Sequence, residues 1–150
     1  MTEPNNKEQE ICKNCGFCCD GTLFKRANSF KGEVLLPKME AEIINGSYYF
    51  KQPCAYFDQH CTAYDQQRPL DCSTFKCLLL KKSSKNKVEF EEVKILIQQV
   101  KDQKKRLYTL IPNALTNESL DLAFKRFLKN NKAQFESTAF KRRYSELLLE

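Results

Sequence analysis

Glycine is scarce in this sequence, with four among 150 residues, and no Gly-rich run is present that could fold around a nucleotide or a methyl donor. Histidine is scarcer still. The single His60 stands beside Cys61, so neither a Ser-His-acid nor a Cys-His catalytic set can be assembled around it. No stretch approaches the ~18 consecutive apolar residues that would suggest a membrane span. Met1 to Glu10, MTEPNNKEQE, lacks the apolar centre of a secretory leader. The chain is therefore expected to be cytoplasmic, without a membrane partner. A hydrophobic fraction of 41% and a charged fraction of 29% are close to globular averages and exclude wholesale disorder.

Cysteine is what the sequence has in excess: eight residues, all between positions 12 and 77. In a reducing cytoplasm ordinary thiol pairs stay reduced, so ligation explains such a density better than disulfides. The densest run is Cys12-x-x-Cys15-x-x-Cys18-Cys19, followed by Cys54, Cys61, Cys72 and Cys77. A Cys-x-x-Cys turn lets two thiolates converge on one metal while backbone amides hydrogen-bond the sulfurs. Four-thiolate zinc and an iron-sulfur cluster both suit these ligands. The triple spacing matches the first three ligands of a bacterial-type ferredoxin, although there the remote cysteine is followed by proline, whereas here Pro53 precedes Cys54. All eight cysteines are candidate ligands. Cys18 and Cys19, being adjacent, leave the backbone in different directions and are expected to divide their work. If one completes the Cys12–Cys15 turn while the other reaches Cys54, Cys61, Cys72 or Cys77, two centres share a wall. If there is one centre, three or four cysteines are dispensable, most of them within Cys54 to Cys77.

These residues resemble the CxxCxxCC cysteine-cluster family, described as a zinc- or iron-chelating domain. The resemblance rests on Cys12 to Cys19, on Pro53-Cys54-Ala55-Tyr56-Phe57, and on Cys61-Thr62-Ala63-Tyr64 followed by Arg68-Pro69 and Cys72. It covers residues 11 to 77. It implies a metal or iron-sulfur centre, and a similar motif accompanies an iron-sulfur-dependent flagellin lysine methylase, which favours a 4Fe-4S cluster over Zn2+ as the cofactor. A methylase activity finds no methyl-donor loop here.

Along the chain, residues 1–10 are polar and expected to be disordered, with order beginning at Ile11. Cys12 to Gly21 reads as a turn-rich ligand loop. Leu35 to Gly46 reads as a short helix stopped by Asn45-Gly46, with Ser47 to Phe50 a candidate strand. Residues 11–80 form the expected cysteine-cluster domain. Lys81 to Lys87, KKSSKNK, is a polar linker holding the domain boundary, and residues 81–150 form a basic helical segment. There Val93, Leu96, Ile97, Val100, Leu107 and Leu110 keep one apolar face up to Pro112. Thr116 offers an N-cap for a second helix with Leu120, Phe124, Phe127 and Leu128. A third helix carries Phe135, Ala139, Phe140, Tyr144, Leu147 and Leu148. The fold class is thus a small irregular α+β to mainly α protein: a cysteine-rich, metal-stabilised unit followed by amphipathic helices.

Charge is uneven. Residues 1–80 carry 9 Lys and Arg against 10 Asp and Glu, a net of −1, and residues 81–150 carry 16 against 9, a net of +7. Lys101 to Arg106 and Lys141 to Arg143 could meet nucleic-acid phosphates or an acidic protein partner, although the solvated face of amphipathic helices accounts for them more simply and no signature supports specific nucleic-acid binding. Near the cysteines, His60 reads as a surface neighbour more readily than as a ligand. Arg68 could offset thiolate charge, and Tyr56, Phe57, Tyr64 and Phe75 could form a small core around the centre. Asp20, Asp58, Asp65 and Asp71 are generic acid-base candidates. The function expected first is a metal-binding protein whose centre is structural or transfers electrons. An iron-sulfur or metal-dependent oxidoreductase or modifying enzyme is the second reading, and a metal-stabilised nucleic-acid adaptor the third.

Overall fold

Helix α1, Asn6–Cys15, opens the computed structural model, which describes residues 6–115 and 118–145. Ordered structure thus starts earlier than Ile11, because Lys7, Glu8, Gln9 and Glu10 are good helix formers. Glu8 also accepts from Lys76 Nζ at 2.6 Å. The expected ligand loop is corrected accordingly: its first two cysteines lie on a helix. Gly16 ends α1 at a φ of +76°, the left-handed conformation that commonly stops a helix. A Cβ at Gly16 would run into the Phe57 ring. Gly16→Ala is therefore expected to cost about 1–2 kcal/mol in a denaturant titration, and an unchanged midpoint would contradict the close approach.

Three strands follow: β1 (Arg26–Ser29), β2 (Ala41–Ile44) and β3 (Ser47–Lys51). They form an antiparallel sheet in the order β1-β3-β2. Ile44 pairs with Ser47, so Asn45-Gly46 is a two-residue hairpin loop. Both residues have positive φ, at 50° and 79°, as a type I′ turn demands. The helix expected over Leu35 to Gly46 is therefore replaced by a hairpin, and its supposed stop signal is the turn. The strand at Ser47 to Phe50 is present. Phe50 is fully buried and faces Ala27 and Ala41 across the sheet.

A small hairpin, β4 (Phe57–Asp58) and β5 (His60–Cys61), turns at Gln59, and short helices α2 (Leu70–Thr74) and α3 (Leu78–Ser83) precede the long α4 (Phe90–Leu110). Two compact units result, Met1–Gln98 and Gln99–Glu150. The boundary expected within residues 81–87 thus lies further on, inside α4. The reason is packing: Val93 and Ile97 of α4 join Ile11, Phe17 and Leu80 in the first unit's core. Leu96 and Val100, expected on the same apolar face, are 39% and 45% exposed.

The second unit has its own core of Ile111, Ala123, Phe127 and Phe140. Helix α5 (Leu120–Asn130) starts at Ser119, whose Oγ accepts from Leu122 N. The expected cap Thr116 lies outside the described residues, as do Leu147 and Leu148. Helix α6 (Thr138–Arg143) is capped by Ser137. Its Phe140 stacks on Phe127 with ring centres 5.8 Å apart. No described helix is long and apolar enough to cross a membrane. The architecture is a small mixed α+β fold.

Candidate metal centre

Local chemistry places the cysteines one after another. Cys12 and Cys15 are three residues apart on α1 and share a face of it. Beyond Gly16 the chain folds back, with Cys19 N and Asp20 N both donating to Gly16 O at 2.8 and 2.9 Å, and this turn presents Cys18 and Cys19. Cys54 is brought from far along the chain by its own amide, which donates to Cys19 O at 2.6 Å. Cys61 ends β5, and a backbone amide, that of Ala63, donates to its sulfur. Tyr56 N does the same for Cys54.

Helix α2 carries Cys72 and is tied down by two carboxylates. Glu33 Oε1 accepts from Leu70 N at 2.7 Å, and Asp71 Oδ2 accepts from Asn28 N at 2.9 Å. Cys77 is the N-cap of α3, its Sγ accepting from Leu80 N at 3.5 Å. Amide-to-sulfur bonds of this kind fix sulfur orientation and favour the thiolate that a metal needs.

None of the eight cysteines is in a disulfide, and seven are half-buried while Cys54 is buried. Cys12, Cys18, Cys19, Cys54, Cys61 and Cys72 line one cavity of about 180 Å³. Cys15 and Cys77 line a second, of about 430 Å³, in whose wall Cys12, Cys18 and Cys19 also stand. Both cavities lie within the first unit.

Burial dominates the thiol electrostatics. It pushes Cys18 up to about 12, with the Cys12, Cys15 and Cys77 thiols adding to the effect. Burial likewise pushes Cys72 up to about 12, followed by the charge of Cys54. Cys12 is raised by burial, against the pull of the Arg68 guanidinium, and Cys54 is raised by burial too. The contact between the Cys19 and Cys61 thiols raises Cys19 and lowers Cys61.

Crowded, buried thiols repel one another once ionised, and a cation that displaces their protons relieves that repulsion. The donor chemistry and the amide-to-sulfur bonds therefore fit a thiolate-held metal. The sulfurs border cavities, and among the described residues no three Cys, His, Asp or Glu side chains form a ready coordination group.

The neighbours sort themselves clearly. Arg68 lies 3.9 Å from the Tyr64 ring centre, donates to Cys72 O at 3.2 Å and lines the smaller cavity. Its charge favours the thiolates of Cys12, Cys61 and Cys72. Tyr56, Tyr64 and Phe75 line that cavity as well, whereas Phe57 packs at Gly16. His60 is exposed on β5, opposite Asp58.

Of the four acidic candidates Asp71 alone lines the smaller cavity, and its carboxylate is engaged with the Asn28 amide. Asp20 accepts from Thr22 N, and Asp65 pairs with Lys13 at 3.1 Å. Sequence reasoning missed Phe24, Met39 and Gln52, all in the same lining. Gln52 Oε1 is a buried acceptor without a hydrogen-bond partner, and nothing in the QPC tripeptide announces it. No protein-family model, curated protein or solved structure matches the chain.

Proposed function

We propose that the chain is a cytoplasmic metal-binding protein of the CxxCxxCC type. Its cysteines hold a thiolate-ligated centre, an iron-sulfur cluster in preference to zinc, that is structural or transfers electrons. The observation that carries this reading is the gathering of six cysteines from α1, the following turn, the segment between β3 and β4, β5 and α2 around one cavity of about 180 Å³. When bound, such a centre supplies cross-linking of distant segments and, if it contains iron, one-electron chemistry.

The chain's own residues supply the rest. Leu80 N, Ala63 N and Tyr56 N orient sulfurs, Arg68 offsets their charge, and Tyr56, Tyr64 and Phe75 restrict water. The basic residues of 81–150 offer a surface to an acidic protein partner. Protein isolated without oxygen is expected to contain iron and sulfide in equal amounts and to absorb broadly near ~400 nm. A colourless preparation with stoichiometric zinc would replace iron by zinc and keep the ligand reading. Folded, metal-free protein that takes up neither iron nor zinc on reconstitution would overturn the proposal.

A further inference from the structure

Resting on the metal-binding reading, we infer that the eight cysteines form two four-thiolate centres sharing a wall, Cys12, Cys15, Cys18 and Cys77 in one and Cys19, Cys54, Cys61 and Cys72 in the other. Each would take a group of the same chemistry, a tetrathiolate-held zinc ion or 4Fe-4S cluster.

The two cavities already separate five of the eight. Of these two cavities Cys54, Cys61 and Cys72 border only the smaller, and Cys15 and Cys77 only the larger, while a third cavity of about 210 Å³ is lined by Cys12 and Cys72. Cys12, Cys18 and Cys19 stand in the dividing wall, so the partition turns on these three. Cys12 shares a helical face with Cys15, and Cys12, Cys15 and Cys77 all pack on the cluster of Ile11, Phe17, Leu80, Val93 and Ile97. That places Cys12 in the first set.

Cys19 is linked to the second set by its carbonyl, which accepts from Cys54 N at 2.6 Å. With Cys12 and Cys19 placed, Cys18, which also lines the larger cavity, is the fourth donor left for the first set. The adjacent pair thus falls into different sets. Their side chains diverge from consecutive α-carbons, which suits ligation of two groups and strains ligation of one. Four donors a side also complete a tetrahedral set without His60.

The sharpest test uses the adjacent pair in the full chain, with metal and sulfide measured per folded molecule after anaerobic reconstitution. Cys18→Ser and Cys19→Ser are each expected to halve the metal content, and the double variant to abolish it. Cys15→Ser should then add nothing to the loss in Cys18→Ser, while Cys72→Ser should remove what remains. A single substitution that removes all metal, or one of the pair that removes none, would overturn the two-centre arrangement and leave the metal-binding reading standing. A wild-type chain that takes up no metal would instead defeat the underlying reading.

Variants that fail to fold are bypassed with loaded wild-type protein. Under graded chelation followed by iodoacetamide and peptide mapping, thiols should become reactive in two blocks of four with the membership given above. Blocks that mix the two sets, or eight thiols released together at every chelator level, would refute the partition.

Discussion

Chelating the metal from the loaded protein is expected to speed exchange of the Val93 amide proton by at least about a hundredfold, while that of Ala123 keeps its protection. The two amides are well matched. Both residues are fully buried, and each amide donates at 3.0 Å to the carbonyl just before its helix, Glu89 O and Ser119 O respectively. They differ in what surrounds them. The core around Val93 has Cys12, Cys15 and Cys77 packed against it, so three of the proposed ligands belong to its wall. The core around Ala123 is built from Ile111, Phe127 and Phe140 with further aromatic and aliphatic side chains, and includes no cysteine. Exchange measured by mass spectrometry before and after chelation checks the contrast. Unchanged protection at Val93 would show that the first unit folds without help from a metal.

The second large effect is a packing one. Phe50→Ala is expected to destabilise the first unit by about 3–5 kcal/mol, the cost of deleting an aromatic ring from a site that cannot collapse to fill it. Phe50 has no exposed surface, and its cross-strand neighbours Ala27 and Ala41 have only methyl groups with which to close the gap. Phe50→Leu keeps much of the volume and should cost less, about 1–1.5 kcal/mol. The check is a denaturant titration followed separately by probes in the two units. A loss below about 1 kcal/mol for the alanine variant would mean that this part of the sheet contributes little to stability.

Periodic segments were the most legible part of the sequence. Helix α4 follows from its apolar spacing, and the strand at Ser47 to Phe50 follows from its aromatic run. The hairpin before it was misread although its signal was present. Asn45-Gly46 serves equally as a helix stop and as a type I′ turn, and Pro37, Met39, Ile43 and Ile44 happen to fit a helical stripe. In the chain the two isoleucines are exposed, Ile43 at 65%, so they never formed the buried face that a helix would have used.

Helix α1 was hidden for another reason: cysteines three apart look like a ligand turn whether they lie on a loop or on one face of a helix. As for the candidate centre, the cysteines were legible as a group and their neighbours were not. Which thiol faces which depends on contacts such as Cys54 N to Cys19 O, made across dozens of residues and invisible to any local pattern. The role of Asp71 shows the same limit, since its partner Asn28 lies on another element.

The placement of the unit boundary inside α4 bears on modularity. Where two units meet in a loop, either can be exchanged between chains by recombination at little cost. Here a break between Gln98 and Gln99 cuts an uninterrupted helix, stripping the amides of the four residues after the break of their carbonyl acceptors and leaving the last four carbonyls before it without donors. A gene-level exchange that replaces the second unit must carry the residues up to Leu110 with the first, or supply a new helix in register with Val93 and Ile97.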